Sequence, residues 1–583
     1  MARNRKGLGN RDESNKTMSF ISQSTGKELQ KDINSYRRGP QPVLAETESL
    51  NNSSGVTPPG LGPDSLDEIG TSNAGSSAKT AVASLMLLSA FTKIFGFIRE
   101  ILLGRFYGIG DTAEAYKIAQ TIPVMILMII GTGLATGFIP TYNKTYATKG
   151  PKAASRFMSN TINISVIIGV VFCFIVALFP GVFVKLFASG FTGEKLQLTM
   201  NFTRIAVWGV IFSFMSYIIQ PYLQINENFW VPAMVGIPMN LIFFLSFPAG
   251  KYLNESFLPI GIVVSVLVQV LWMIPFVRKQ GYHWQPVIDT KDEDLRHLLM
   301  LAAPVLLGVA VNQINIIIDR TMASRVLDGG VAALDYATKM NGFVQGIFIY
   351  SVMTVVFPRI SKLFIQKDHK AVEQLTTNAM VTMSLIVIPC IVGLMVFSTQ
   401  IITLLFKGGA FDDQAVALTA GAMFFYAPGL IGFAFREILA RVFYSMNDTK
   451  TPTFNAALAV VANIILNILL SLMMGINGLA LATSISALLG SILLMMALRR
   501  RGSLKLHYRE LVYKLIRIGI ASLVMGLVSW LSFQLLESLI GPKLGVILAI
   551  GVAIVVYGTV IIFMKIPEVE ELLTMIKQRI RKK

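Results

Sequence analysis

The residues with the clearest chemical potential are charged side chains inside long apolar runs. They fall in three stretches, 93–117, 319–339 and 436–441. Nine are basic and five acidic, a net charge of +4: Lys93, Arg99, Arg105, Lys117, Arg320, Arg325, Lys339, Arg436 and Arg441 against Glu100, Glu114, Asp319, Asp335 and Glu437. A charge at the centre of a bilayer costs roughly 2.5–3.5 kcal/mol even on the lenient insertion scale. Such residues indicate a functional path, and a net positive cavity favours an anion.

Part of this set also has a purely structural interpretation. Arginines near helix ends can extend to the membrane interface, which applies to Arg105, Arg325 and Arg441. Two acid–base pairs have the spacing of ion pairs within one helix, Glu114 with Lys117 and Asp335 with Lys339. A water-filled, substrate-binding cavity is nevertheless favoured for five bases: Lys93, Arg99, Arg320, Lys339 and Arg436.

The acidic residues fit a role in gating or ion pairing around that cavity. The candidates are Glu100, Glu114, Asp319, Asp335 and Glu437, together with the base Lys117. Lys93 and Glu100 are seven residues apart and share one helix face near its middle. Asn312, Asn315 and Asp319 form a polar stripe at spacing i, i+3, i+7.

Motifs of catalysis and cofactor binding are missing. The sequence has no G-x-x-x-x-G-K-[ST], G-x-S-x-G or H-E-x-x-H motif, and its polar joints are too short for a catalytic domain. The two cysteines, Cys173 and Cys390, lie in apolar runs and form no metal motif. We expect no enzyme activity, no metal and no cofactor.

The elements that must position these charges are membrane-spanning helices. Of 583 residues, 53% are hydrophobic and only 14% charged, against about 25% charged in soluble proteins. The apolar runs are long enough to cross the ~30 Å hydrocarbon core as helices. We predict an all-α polytopic protein of about 14 transmembrane helices. The formal charge of +18 lies mostly in loops, so it indicates topology and not nucleic-acid binding.

Orientation follows from the distribution of Lys and Arg in short loops. The joints after even-numbered helices are basic: residues 143–156, 278–297, 359–370 and 499–509, as is the C-terminal tail. The odd joints, such as residues 108–111 and 327–330, are poor in bases. Both termini are therefore predicted to be cytoplasmic.

An internal repeat predicts two lobes. Arg105 precedes a glycine turn and A-E-A-Y at 113–116, and Arg325 precedes a glycine turn and A-L-D-Y at 333–336. The copies lie six helices apart, which implies two six-helix lobes related by a pseudo-two-fold axis along the membrane normal. Residues 1–79 are predicted to be a disordered cytoplasmic tail, and residues 80–277 an N-lobe of helices 1–6. Residues 278–498 are predicted to be a C-lobe of helices 7–12, and residues 499–583 to hold helices 13–14 and a basic tail.

Several segments resemble the MurJ lipid II flippases of the multidrug/oligosaccharidyl-lipid/polysaccharide exporter superfamily. They are T-K-I-F-G-F-I-R-E-I-L-L-G-R-F-Y-G-I-G-D-T-A-E-A-Y at 92–116, T-I-P at 121–123, G-F-I-P at 137–140, P-V-L-L-G-V-A-V-N-Q-I at 304–314 and F-Y-S-M-N-D-T-K-T-P at 443–452. The resemblance covers residues 80 to about 565 in order.

The resemblance implies that the chain moves lipid II, the undecaprenyl-diphosphate-linked peptidoglycan precursor, across the bacterial cytoplasmic membrane from the inner to the outer leaflet. The functional bases of the family's helix 1 match Lys93 and Arg99, that of helix 8 matches Lys339, and the acid of helix 2 matches Glu114. Two family positions are not kept. V-M-I-L-M at 124–128 lacks a base, and the family's acid after the helix 8 base is Gly342.

Other functions remain open at this stage. A flippase for another undecaprenyl-diphosphate-linked glycan would use the same cationic cavity. A membrane scaffold that recruits cell-wall or regulatory proteins through the N-terminal tail belongs to a different class, and the charges inside the membrane argue against that role as its only one. A multidrug antiporter is less favoured, since cationic drugs require an acidic cavity.

Overall fold

The long apolar runs form helices throughout the part of the chain that the structure describes. The computed structural model describes residues 75–501, 504, 506, 508–564, 566–570 and 574. These residues contain 20 α-helices, one π-helical turn and no β-strand. The prediction of an all-α membrane protein is confirmed for this part of the chain.

The helices of the first half are α1 (Gly75–Tyr107), α2 (Asp111–Lys149), α3 (Pro151–Leu178), α4 (Pro180–Phe187), α5 (Gly193–Ala206), α6 (Gly209–Ile225), α7 (Trp230–Met234), α8 (Gly236–Tyr252) and α9 (Phe257–Lys279).

The helices of the second half are α10 (Glu293–Val326), α11 (Gly330–Val344), the π-turn (Gln345–Ile349), α12 (Tyr350–Ile365), α13 (His369–Val396), α14 (Ser398–Phe406), α15 (Asp413–Tyr426), α16 (Gly429–Ser445), α17 (Lys450–Met474), α18 (Ile476–Arg501), α19 (Tyr508–Ile540) and α20 (Pro542–Phe563).

Several predicted spans are interrupted. Pro180 begins α4 directly after α3 ends, because proline lacks the N–H that a continuing helix requires. The axes of α5 and α6 differ by 44°, and those of α15 and α16 by 41°. The π-turn lies between α11 and α12, and such turns often mark functional positions in helices.

The number of membrane spans is close to the prediction but does not reach it. Ten helices of the described chain are long and apolar enough to cross a membrane, or 12 if each bent pair is one span. The helices α1 and α10 are also long, with 33 and 34 residues, and they carry half of the charges discussed above. The count of 14 spans stays a prediction.

One helix contacts both halves of the molecule. The helix α10 packs along α2 and also along α17. Near its start, the Thr141 hydroxyl lies 3.2 Å from His297 Nδ1, and the Lys149 ammonium lies 2.8 Å from the Asp294 carboxylate. Predicted as part of the C-lobe, α10 therefore begins in contact with the N-lobe. The hairpin of α19 and α20 packs on α13, outside the repeat.

The segment that joins α9 to α10 is fastened along α3. We call residues 280–292 the interlobe strap. The Asn160 amide donates to Asp289 O at 2.8 Å and accepts from Asp289 N at 2.7 Å. The Asn163 amide donates to Gln285 O at 2.9 Å. These bonds hold the strap and the start of α10 against the N-terminal helices.

Some predictions fall outside the described residues. The predicted tail does so up to residue 74, and α1 begins at Gly75, five residues before the predicted span at residue 80. The side chain of Asn312 is also outside the described part. The predicted boundaries of the lobes stay predictions.

Candidate functional site

A buried ion network joins four helices of the two halves. The Glu100 carboxylate of α1 lies 2.7 Å from the Arg99 guanidinium and 2.7 Å from the Lys117 ammonium of α2. The same ammonium lies 2.5 Å from the Asp335 carboxylate of α11, whose other oxygen is 2.9 Å from the Arg320 guanidinium of α10. Lys117 is thus shared by one acid from each half. We call these residues and Lys339 the central network.

Aromatic rings cover the basic groups of this network. The Lys117 ammonium lies 4.1 Å from the centre of the Tyr336 ring, and the Arg99 guanidinium lies 5.0 Å from that of Phe243. Arg99 is 5% exposed and Lys117 3%, so their charges are largely removed from water. Cation–π contacts gain strength when the cation is desolvated in this way.

The central network carries more positive than negative charge. Lys339 lies close enough to Glu100 and Asp335 for electrostatic attraction. The four bases, Arg99, Lys117, Arg320 and Lys339, face the two acids, which leaves a net charge of +2. Among the described residues, Nη1 of Arg320 is buried without a hydrogen-bond acceptor. The network therefore has a surplus of positive charge and one buried donor that no described residue satisfies.

A second ion cluster lies where α2 and α11 begin. The Lys195 ammonium of α5 forms an ion pair with Glu114, and lies 3.0 Å from Asp111 and 3.1 Å from Asp328. We call these four residues the outer seam, because the joints there are predicted to face outside. With three acids and one base, the seam has a net charge of −2.

Glu114 connects the two halves across this seam. Its Oε1 accepts hydrogen bonds from Val331 N at 2.8 Å and Ala332 N at 3.3 Å. Both N–H groups belong to the first turn of α11, where the helix dipole favours a negative charge. Glu114 is fully buried, so both bonds are shielded from water.

Backbone contacts close the same end of the molecule. Ala410 N donates to Arg105 O at 2.8 Å. Gly108 and Gly409 have φ of +59° and +62°, a conformation that favours glycine. A Cβ at Gly108 would lie 2.2 Å from Ala410 O, and one at Gly409 would lie 2.2 Å from Arg105 O. Glycine at these two positions therefore permits backbone contact between the halves.

Lys93 lies apart from the central network, on the side predicted to face the cytoplasm. Its side chain is half-buried, and its ammonium would lie 3.8 Å from a Cβ built on Gly346 of the π-turn. Between Lys93 and the network, the rings of Phe97 and Phe343 are 5.3 Å apart. Lys93 thus lines the contact between α1 and the π-turn.

Two residues of the predicted polar stripe on α10, Asn315 and Asp319, belong to contacts with α17. The Asp319 carboxylate accepts from the Asn467 amide at 2.5 Å and from the Asn315 amide at 3.4 Å. The Asn467 amide also donates to Asn463 at 2.9 Å. Asp319 therefore belongs to an amide cluster, whereas its neighbour Arg320 belongs to the central network.

The charges of α16 form a separate group. Arg441 and Glu437 lie 3.9 Å apart, and Arg441 also lies 5.1 Å from the centre of the Phe357 ring. Arg436 lies 4.9 Å from the Phe433 ring, beside α18 at Gly490. Within the described part of the chain, the contacts of Arg436 are with Phe433 and α18 and not with the central network, so its predicted role in binding substrate remains a prediction.

Two structural interpretations from the sequence are corrected, those of the Glu114–Lys117 pair and of Arg441. Glu114 pairs with Lys195 and not with Lys117 of its own helix, because the two side chains point to different neighbours. Arg441 is 7% exposed and so does not extend to water. Arg105 and Arg325 are exposed, but they bond across the halves, to Leu405 O at 3.2 Å and to Ser189 Oγ at 2.6 Å.

Lys195, Asn463 and Asn467 were not predicted from the sequence as site residues. Lys195 lies two residues after the helix start at Gly193, and no sequence pattern singled it out. The signal for the two asparagines was their spacing of four residues within an apolar run, which places both amides on one face.

Comparison with known proteins places the chain among transporters. The sequence profile of the family described as lipid II flippase MurJ matches residues 103–550. A probable lipid II flippase MurJ of Vibrio cholerae is 28% identical over 476 residues, covering 78% of this chain and 89% of that protein. One from Thermotoga maritima is 26% identical over 485 residues, covering 83% and 96%.

Solved structures show the same fold. A lipid II flippase MurJ in an inward closed conformation has a TM-score of 0.71 at 24% identity, covering 82% of this chain and 98% of that one. An inward-facing multidrug resistance transporter of the MATE family, from the MOP superfamily, has a TM-score of 0.60 at 14% identity, covering 70% and 94%. At these identities the likeness supports the architecture of the helices.

Proposed function

The chain belongs to the MurJ lipid II flippase family, and from this membership we propose that it carries lipid II from the cytoplasmic to the outer leaflet by alternating access. The observation that carries the mechanism is the central network. Four bases from both halves converge there on only two acids. Such an excess of positive charge in a largely buried site suits a diphosphate, which carries two negative charges at neutral pH when both of its ends are esterified.

The head group would reach the network from the cytoplasmic side. There α1 packs on α7 and α8, whereas α12 packs on α13 and α16. The apolar side chains of Phe91, Ile94 and Val355 are exposed on these helices. A lipid can keep its prenyl tail in the bilayer along such a surface while its head group lies between the halves. Lys93 is placed to meet the diphosphate first.

Binding would then exchange one set of ion pairs for another. A diphosphate oxygen that takes over Lys117 competes with Glu100 and Asp335, and the free donor of Arg320 adds a further bond. Breaking a buried pair without replacement costs about 3–5 kcal/mol. With the anion present this cost is offset, so the bridge from Glu100 through Lys117 to Asp335 can separate and the outer end can open.

The membrane potential would favour the same direction. Moving one elementary charge across 100 mV is worth about 2.3 kcal/mol. An anion that leaves an inside-negative cell moves downhill in free energy. After release, the empty network has its net charge of +2 again, and the same field draws those bases back toward the cytoplasm.

The proposal can be tested in cells in which this chain is the only lipid II flippase. An impermeant enzyme that cleaves lipid II at the diphosphate reports how much has reached the outer leaflet. The wild-type chain should make most lipid II accessible from outside. The double variant, Arg99→Ala with Lys339→Ala, should leave lipid II in the cytoplasmic leaflet. Lys144→Ala, an exposed base in the first cytoplasmic joint, is the matched control and should behave as wild type.

The alternatives give different results in the same experiment. Abundant wild-type chain that leaves lipid II inside, while another undecaprenyl-diphosphate-linked glycan becomes accessible, would replace the proposed substrate. Normal lipid II accessibility in the double variant would show that the central network does not carry the head group. A scaffold acting through residues 1–79 would lose its function on deletion of that tail and keep it in the double variant.

A further inference from the structure

A single lysine holds together the acids of the outer seam. Lys195 forms ion pairs with Asp111 and Glu114 of the first half and with Asp328 of the second. It is 8% exposed, and its ammonium lies 4.7 Å from the centre of the Phe191 ring. We propose that Lys195 is a positioning residue that keeps the outer end closed, by turning an acid-rich contact between the halves into an attractive one. This inference rests on the transport cycle proposed above.

Burial makes Glu114 the partner that matters most. The side chain of Asp328 is 94% exposed and that of Asp111 62%, so solvent screens their pairs with Lys195. Glu114 is fully buried. One oxygen of Glu114 bonds to the first turn of α11 and the other faces Lys195. Lys195 therefore fixes the carboxylate that connects the two halves.

Removal of the lysine would change the electrostatic interaction between the two halves at the seam from attraction to repulsion. The seam would change from a net charge of −2 to −3. Asp111 and Glu114 of one half would then face Asp328 of the other without a base between them. A buried carboxylate without a cation is strongly unfavourable, and opening the seam to water relieves it. Loss of Lys195 should thus favour the outward-open state, in which Glu114 is hydrated.

A cysteine placed in the outer seam can report whether the outer end is open or closed. Ala332 is fully buried at the start of α11, and its own N–H and that of Val331 donate to Glu114. In a chain with Cys173→Ala, Cys390→Ala and Ala332→Cys, a membrane-impermeant maleimide added outside should label slowly. Adding Lys195→Met should speed labelling about tenfold or more, since opening exposes this position. Lys195→Arg should restore slow labelling, because it keeps the charge.

Control variants separate gating from folding. Arg204 lies on the same helix as Lys195, is exposed, and bonds to Asn201 of its own helix. Arg204→Ala should label like wild type. If Lys195→Met does not accumulate in the membrane, Lys195→Gln provides the same readout and should also label faster than wild type. Labelling after detergent treatment of the membranes gives the total amount of reactive cysteine in each variant. Dividing by that amount corrects the labelling rate for differences in protein abundance.

The result is decisive in either direction. Abundant Lys195→Met that labels as slowly as wild type would overturn the proposal, as would fast labelling that Lys195→Arg fails to reverse. Labelling is measured in membranes without lipid II, so it does not depend on the substrate. Wild type that labels as expected but fails to move lipid II would contradict the proposed function and leave the role of Lys195 intact.

Discussion

The two copies of the internal repeat place their acids in different regions of the protein. In A-E-A-Y, Glu114 lies two residues before Tyr116, whereas in A-L-D-Y, Asp335 lies one residue before Tyr336. Both tyrosines are fully buried. One residue corresponds to about 100° around a helix. Glu114 therefore faces Lys195 in the outer seam, and Asp335 faces Lys117 and Arg320 in the central network.

This displacement gives the two copies separate tasks. The central network has a net charge of +2 and suits an anion, and the outer seam has a net charge of −2 and joins the halves. A perfectly symmetric repeat would place two acids at equivalent positions and could not assign one to binding and the other to closure. The asymmetry of one residue is therefore part of the mechanism that we propose.

The largest effect is expected when the network loses its shared cation. Lys117→Ala leaves Glu100 and Asp335 each with one base fewer and removes the bridge between the halves. Truncating one partner of a buried pair costs about 3–5 kcal/mol, so transport should fall about 100-fold or more. Lys117→Arg should keep most activity. Accessibility of lipid II from outside measures both, and an abundant, active Lys117→Ala would remove the network from the substrate path.

Exchanging the acid of the second repeat with the residue before it tests whether the position of this acid matters for transport. Leu334→Asp combined with Asp335→Leu moves the acid of the second copy to the position that Glu114 occupies in the first. Total charge and composition are unchanged, but the acid turns away from Lys117 and Arg320. Transport should fall about tenfold or more, since a network base loses a buried charged partner. Unchanged transport with normal abundance would show that the position of this acid is immaterial.

A smaller effect is expected at the cytoplasmic end of the path. Lys93 is only half-buried and lies outside the central network, so its loss leaves no buried acid unpaired. Lys93→Ala should reduce transport less than Arg99→Ala or Lys339→Ala, and Lys93→Arg should be active. Transport rates measured at several lipid II levels would distinguish weaker substrate binding from a slower change between the inward and outward states. Equal losses in all three alanine variants would place Lys93 in the same binding site.

The smallest effect is expected from the charges that belong to neither region. Arg436 lies against Phe433 and α18, and among the described residues it contacts neither the network nor the seam. Arg436→Ala should change transport by about threefold or less, within the range of ordinary surface substitutions. The same lipid II accessibility experiment applies. A loss as large as that of Arg99→Ala would show that α16 lines the substrate path.

Much of the architecture could be predicted from the sequence because the membrane restricts the choices. Backbone polar groups in hydrocarbon must be satisfied within a helix, so long apolar runs predict helices directly. Charges inside those runs are costly, so Lys93, Arg99 and Lys339 could be singled out by position alone. The repeat located the acids Glu114 and Asp335 near the starts of α2 and α11.

Ion-pair partners could not be predicted in the same way. Spacing within α2 suggested a pair between Glu114 and Lys117, but the structure gives them separate partners in other helices. Lys195 is 81 residues from Glu114 in the sequence, and only the packing of α5 beside α2 brings them together.

What the sequence determined by itself was the class of the protein, its helices, the repeat and the surplus of positive charge within the membrane. These properties can be read along the chain, because they depend on residue type and spacing and not on which helices pack together. The tertiary structure decided that Lys117 serves both Glu100 and Asp335, and that Lys195 closes the seam. Helical periodicity predicts which residues share a face of a helix. The neighbouring helix that this face contacts depends on the packing of the whole bundle.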